Sequence, residues 1–278
     1  MKIFKTTIQL RQWTKTLPTK SVGFVPTMGA LHEGHLSLIR SSKKECQKTI
    51  VSIFVNKLQF GPNEDFNTYP RLMEQDIKLL ESENVDVLFC PGLEEMYPND
   101  LSFKINETKI AKQLEGKSRP GFFDGVCLVV LKLFNIVQPN RAYFGEKDIQ
   151  QLYIIQKMIK DFNFPIQLCG CPTIREKNGL AMSSRNQYLS DVEKAEAAIL
   201  YHTLKKGATC VLDGQLNVDA IIAMMGQLIE NKNIKIDYLE IRDLHTFNKT
   251  KKIHNQPILI VGAIYYKKIR LIDNIILK

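Results

Sequence analysis

Apolar and polar positions change period between residues 22 and 39, and the change predicts a strand, a turn and a helix in succession. Val22 to Val25 is a short apolar run closed by Pro26, which suits a buried strand end. Leu36, Ile39 and the residues after them recur at helical spacing. Further along, Thr49 to Val55 is β-branched and predicts a second buried strand, Leu72 to Glu83 a helix, and Val85 to Phe89 a third strand stopped by Pro91-Gly92. Val126 to Val137 reads as a buried helix, Ala142 to Phe144 as a strand, Ile149 to Phe162 as a helix and Pro165 to Pro172 as a strand. Such alternation argues for an α/β fold, a parallel sheet with helices on both faces. Past residue 175 the pattern changes. Asp191 to Lys206 and Asn217 to Asn231 read as helices, then Ile234 to Ile241, Ile258 to Tyr266 and Ile269 to Ile276 as strands. Two domains are expected, 1–175 and a smaller α/β domain 176–278, with Ser183-Ser184-Arg185 as the hinge.

The loop between the first strand and its helix carries the first chemistry. In an open α/β sheet, ligands bind beyond the carboxyl ends of the strands, and unpaired N–H groups at a helix start suit an anion. Gly29 and Gly34 have Walker A spacing, but His35-Leu36 stands where Lys-Ser/Thr is required, so a kinase-type phosphate loop is excluded. A GxGxxG fingerprint is absent, and His32-Glu33-Gly34-His35 is one residue short of HExxH, which excludes a zincin. What remains is two imidazoles three residues apart, on one face, able to donate to phosphate oxygens. The HxGH signature of nucleotidyltransferases and class I aminoacyl-tRNA synthetases has this arrangement. One capping and one packing histidine is the competing reading of this segment.

Other polar groups gather at the same strand ends. Asn56 and Gln59 follow the second strand, and Gly61 to Arg71, rich in Pro and Asn, reads as a surface loop placed to act as a mobile cover. Gly145-Glu146-Lys147-Asp148 opens a helix on which Gln151 shares a face with Lys147. Ser183-Ser184-Arg185 offers two hydroxyls and a guanidinium suited to triphosphate oxygens.

Composition adds limits. At 278 residues, with 44% hydrophobic and 24% charged residues, the chain is of ordinary globular make-up, long enough for two cores. The net charge of +9 is spread without a basic run of five, so it reads as solvated surface plus a phosphate site and not as a nucleic-acid interface. Six cysteines without a CxxC pair are expected as buried thiols. With no signal-peptide core and no apolar stretch of 18 residues, a cytoplasmic protein without a membrane partner is expected.

Taken together, Val25-Pro26-Thr27-Met28-Gly29-Ala30-Leu31-His32-Glu33-Gly34-His35, Val51-Ser52-Ile53-Phe54-Val55-Asn56 with Gln59-Phe60, Tyr69-Pro70-Arg71, Arg119-Pro120-Gly121, Phe144-Gly145-Glu146-Lys147-Asp148 with Gln150-Gln151-Leu152, and Leu180-Ala181-Met182-Ser183-Ser184-Arg185-Asn186 resemble the pantothenate synthetase (pantoate–β-alanine ligase) family. The resemblance implies a Rossmann-like doubly wound N-terminal domain and a C-terminal domain that closes over the site. It implies ATP-dependent condensation of pantoate with β-alanine through a pantoyl-adenylate, with Mg²⁺, releasing AMP and pyrophosphate, by a homodimer. By that resemblance His35, His32, Lys147 and Arg185 are catalytic. Met28, Gly29, Ala30, Leu31, His32, Glu33, Gly34, His35, Gly145, Glu146, Lys147, Asp148, Ile174, Met182, Ser183, Ser184 and Arg185 contact ATP. Gln59 binds pantoate and β-alanine, and Gln151 pantoate. The metal ligands are left open. Lys57-Leu58 departs from the family's usual Pro-Met ahead of the glutamine. The alternatives are another HxGH nucleotidyltransferase and, behind it, a non-enzymatic nucleic-acid-binding protein.

Overall fold

The computed structural model describes residues 1–17, 21–62, 64–98, 101–229, 233–254 and 256–278. The chain divides into two compact units, Met1–Pro172 and Thr173–Lys278.

The first unit runs β1 (Lys2–Phe4), α1 (Thr7–Lys15), β2 (Val22–Thr27), α2 (Glu33–Glu45), β3 (Lys48–Ile53), α3 (Met73–Ser82), β4 (Val87–Phe89), α4 (Leu93–Met96), α5 (Leu114–Ser118), α6 (Phe122–Val137), β5 (Arg141–Gly145), α7 (Ile149–Asp161) and β6 (Gln167–Cys171). Its six strands form one parallel sheet in the order β1-β4-β3-β2-β5-β6. This is the doubly wound α/β architecture. On one face Val25, Val51, Leu88 and Tyr143 pack with Leu36 and Ile39 of α2 and Leu80 of α3. The largely apolar α6 lies against β2, α1 and α7. Strand order reverses between β2 and β5, and the crevice beyond the carboxyl ends of such a pair is where ligands bind in this architecture. The histidine loop leaves β2 at that point, and Lys147 follows β5.

Three local expectations are corrected. β2 does not close at Val25 but continues through Pro26 to Thr27, because it pairs with β5 only at Gly23 and Phe24 and follows β3 beyond them. β1 and α1 were not foreseen. β1 is three residues of an edge strand, paired with β4. A single helix from Asp191 to Lys206 is instead two, Asp191–Ala197 (α8) and Ile199–Leu212 (α9), bent at Ala198 so that Ala197, Ala198 and Leu200 all enter the core.

The second unit continues with α10 (Val218–Leu228), and the end of the helix expected to reach Asn231 lies outside the described residues. β7 (Ile234–Asp243), β8 (Ile258–Tyr266) and β9 (Ile269–Leu277) form an antiparallel sheet with β8 central. α9 packs on β8 and β9, α10 on α9 and β7, around Leu200, Leu204, Ile221, Met225, Ile260 and Ile264. Of the six free cysteines, Cys127 and Cys171 are buried and the other four half-buried.

Candidate active site

The loop after β2 turns on two successive left-handed residues, Gly29 (φ 83°) and Ala30 (φ 49°). A left-handed non-glycine residue is costly, so the surroundings must hold it. Asp76, buried on the first turns of α3, does so. Its Oδ2 accepts from the Ala30 N–H at 2.9 Å and its Oδ1 from the Leu31 N–H at 2.8 Å. Burial raises the Asp76 carboxyl above its ordinary range, opposed by these two hydrogen bonds. The Gly29 N–H donates to Thr27 Oγ1 at 3.2 Å, and that hydroxyl donates to the Ser52 carbonyl at 2.8 Å. The N–H groups of Gly29, Ala30 and Leu31 therefore point at protein acceptors. The expectation that unpaired backbone N–H groups here would receive phosphate is corrected for these three.

The histidines replace the usual cap of α2. His32 is the N-cap, its Nδ1 accepting from the Gly34 N–H at 3.1 Å, while His35 Nδ1 accepts from the His32 N–H at 3.3 Å. The ring centroids lie 4.1 Å apart. With both Nδ1 atoms accepting, the neutral rings carry their proton on Nε2. Capping and ligand contact are thus compatible: Nδ1 caps, and Nε2–H is the donor that remains. Burial first, then the charge of Lys147, lowers the His32 pKa to about 4. Burial, His32 and Lys147 hold His35 well below 6.5. Both rings are neutral donors beside a cation.

That cation is half-buried Lys147, in the 3-10 turn Glu146–Asp148 that follows Gly145 at the end of β5. Gln151 is half-buried on the first turn of α7. Its neighbour Gln150 is buried and structural, accepting from the Glu115 N–H and donating to the carbonyls of Ile110 and Gln113. Glu33 is exposed and pairs with Arg40.

Gln59 reaches the histidine loop from β3's side, its Nε2 donating to Met28 Sδ at 3.0 Å. Asn56 fixes it. Asn56 Nδ2 donates to Gln59 Oε1 and to the Gly125 carbonyl, both at 3.0 Å, while its Oδ1 accepts from the Leu58 N–H and the Tyr97 hydroxyl. The 3-10 turn Lys57–Gln59 lies so close to α6 that a Cβ on Gly125 would meet the Leu58 carbonyl oxygen at 2.3 Å. Lys57 and Leu58 are themselves exposed, so the turn is held by Asn56 and Gly125. In the following loop Glu64 pairs with Arg119, and Arg71 donates to the carbonyls of Phe66, Asn67 and Tyr69.

In the second unit Ile174 accepts from the Met182 N–H at 3.0 Å, closing a short hairpin. Arg175 anchors it, donating to both oxygens of Asp273 and stacking 3.8 Å over Tyr201. Ser183 caps the 3-10 turn that begins at Ser184, its Oγ accepting from the half-buried Arg185 at 3.3 Å. The segment read as a hinge is itself a folded part of this unit.

Two neutral imidazoles and a lysine at a switch point suit a nucleotide's phosphates, and the family model of pantoate-β-alanine ligases matches residues 2–276. The chain belongs to the pantoate-β-alanine ligase family. Its relatives agree in length as well as sequence. The pantothenate synthetase of Thermotoga petrophila is 49% identical over 280 residues, all of both chains, and that of Caldicellulosiruptor bescii 52% identical over 260 residues, 93% of this chain and 92% of the relative. The Thermus thermophilus pantothenate synthetase structure superposes with a TM-score of 0.92 at 41% identity, covering 99% of each chain. A pantoate-β-alanine ligase from Francisella tularensis, solved with β,γ-ATP and β-alanine, superposes at 0.80 with 39% identity, covering 99% of this chain and 97% of the other.

Asp76 and Tyr97 are the residues sequence reasoning missed in this ligase. Asp76 carried a signal. It lies four residues before Leu80, so helical spacing puts a carboxylate on α3's buried face, where it needs partners.

Proposed function

We propose that the chain condenses pantoate with β-alanine at the expense of ATP, through a pantoyl-adenylate, releasing AMP and pyrophosphate. The observation that carries the reading is the end-to-end match to the ligase family, with His32, His35 and Lys147 gathered at the switch point. Attack of a carboxylate on the α-phosphorus needs no base, because the nucleophile is already anionic at neutral pH. Positioning and charge neutralisation are what the protein supplies. In this reading His35 and His32 donate from Nε2 to phosphate oxygens and Lys147 neutralises charge beside them. Met182 to Arg185 address the triphosphate, with Arg185 the cation and the serines its hydroxyl partners. Gln59 and Gln151 read pantoate with neutral amides, leaving its carboxylate reactive. By the family resemblance, Gln59 also contacts β-alanine.

Among the described residues no group of three or more His, Cys, Asp or Glu side chains is arranged to hold a metal ion. Mg²⁺ would enter with ATP and neutralise phosphate charge, with its protein ligands left open. No helix among the described residues is long and apolar enough to cross a membrane. A cytoplasmic homodimer without nucleic-acid partners completes the reading, and sedimentation checks the dimer.

Product analysis tests the whole. With ATP, pantoate and β-alanine, AMP, pyrophosphate and pantothenate should form in equal amounts. ATP turnover that ignores pantoate, with the nucleotide moved onto a phosphate ester, would show another HxGH nucleotidyltransferase.

A further inference from the structure

We infer that Asp76 is the positioning residue of the histidine pair, an internal carboxylate seated where the bend at Gly29 and Ala30 aims two backbone N–H groups. Successive N–H groups in such a bend form an anion-binding concavity. Here both oxygens of one buried side chain fill it, at 2.9 and 2.8 Å. The fit is close on the other side too: a Cβ on Gly29 would stand 2.9 Å from Asp76 Oδ2. Leu31 leads directly into His32, whose backbone N–H is held by the His35 ring and whose own ring caps Gly34. The clasp on Ala30 and Leu31 therefore sets where α2 begins, and with it which nitrogen each imidazole presents. Asp76 also ties this loop to α3, the helix that follows the Gly61 to Arg71 segment. Substrate phosphates then meet side-chain donors at this bend, because a carboxylate already occupies its backbone donors. The catalytic consequence rests on the reading of His32 and His35 as phosphate donors. The clasp itself does not.

The test uses the full chain with ¹⁵N-labelled histidine and records long-range ¹H–¹⁵N spectra at neutral pH. In the wild type His32 and His35 should each show one tautomer, protonated at Nε2. Asp76→Asn keeps one acceptor oxygen but turns an NH₂ toward the loop's N–H groups. It should mix the tautomers of His32 and His35 while His202, His245 and His254 keep theirs. Pantoyl-adenylate formation should slow about 10²-fold, the effect of a small misplacement of reacting groups, with the KM for pantoate changed less than about threefold. Gly29→Ala strains the same bend from the opposite side and should give the same pair of signatures, so the test survives if Asp76→Asn does not fold. Unmoved His32 and His35 tautomers in a folded variant overturn the inference, whatever the activity. So does a change spread evenly over all five histidines in both variants, which marks Asp76 as merely structural. Mixed tautomers with undiminished adenylation leave the clasp standing and remove the phosphate-donor reading.

Discussion

His35 sits where capping, burial and a neighbouring cation meet, and each narrows what its ring can do. Nδ1 is committed to the His32 N–H, and burial with Lys147 nearby keeps the ring uncharged. It is therefore a fixed neutral donor. Removing a donor aimed at developing charge slows a step by about 10²–10³. His35→Ala should slow pantoyl-adenylate formation by that factor, and attack of β-alanine on pre-made adenylate much less, since pyrophosphate takes no part there. A variant equally crippled with adenylate and with ATP plus pantoate would falsify the assignment. The same neutrality sets a pH dependence. Free histidine titrates near 6.5, whereas His32 in the fold titrates near 4 and His35 well below 6.5. Between those values the unfolded chain binds protons that the native chain refuses, so stability is complete above about 6.5 and lost as pH falls through about 4. Urea midpoints should decline over that window, with a shallower slope in His32→Gln. The place of these residues at a strand-to-helix junction was legible in sequence because HxGH followed a strand. The tautomers were not, because they follow from which backbone N–H each Nδ1 accepts once the loop is folded, and Asp76 was missed because its partners in the loop lie 45 and 46 residues away in the chain.

At the scale of elements, the turn Lys57–Gln59 shows how packing replaces a stiff sequence. The family's usual proline is absent, yet Asn56 satisfies the turn and α6 presses on it through Gly125. Glycine inside a helix ordinarily costs about 1 kcal/mol against alanine. At Gly125 the balance reverses, because the added methyl would lie 2.3 Å from the Leu58 carbonyl oxygen and 2.6 Å from the Gln59 nitrogen. Gly125→Ala should destabilise the protein by about 1–3 kcal/mol and raise the KM for pantoate by displacing Gln59, while the KM for ATP changes little. Gln151→Ala should act on the same substrate, at about 1–3 kcal/mol for a polar contact left unpaired. A defect confined to ATP would remove the pantoate assignment of both glutamines. The Gly61 to Arg71 segment, pinned by Glu64 to Arg119, should exchange its amide hydrogens more slowly when ATP and pantoate are both bound, and unchanged exchange would remove its role as a cover. Long, strongly patterned elements such as α6 were readable from periodicity. β1 was not, since three residues at a sheet edge carry too little pattern, and the break at Ala198 was hidden because alanine suits helix on both sides of it.

For the molecule as a whole, each unit has its own sheet and core, and in the second a buried ion pair ties a loop to the sheet. Arg175 holds both oxygens of Asp273, which is almost wholly buried on β9, and donates as well to the Gly179 carbonyl. Through it the hairpin carrying Ile174 and Met182 to Arg185 is tied to the sheet, with Leu180 in the core beneath. A charge-assisted pair of this kind contributes little to net stability compared with an apolar pair, but breaking it from one side leaves a desolvated charge. Asp273→Asn keeps the shape and strands the guanidinium. The expected loss is about 3 kcal/mol, felt in residues 173–278, where hydrogen exchange should rise. Exchange across Met1–Pro172 should stay as it was, and so should the tautomers of His32 and His35. Because Asp273 is not itself assigned to ATP, any rise in the KM for ATP would come through the loosened hairpin. If ATP affinity is untouched while exchange at 174–186 rises, the Ser183 to Arg185 segment is not part of the nucleotide site. If exchange rises equally in both units, they unfold as one, and the division at Pro172 and Thr173 has no thermodynamic meaning.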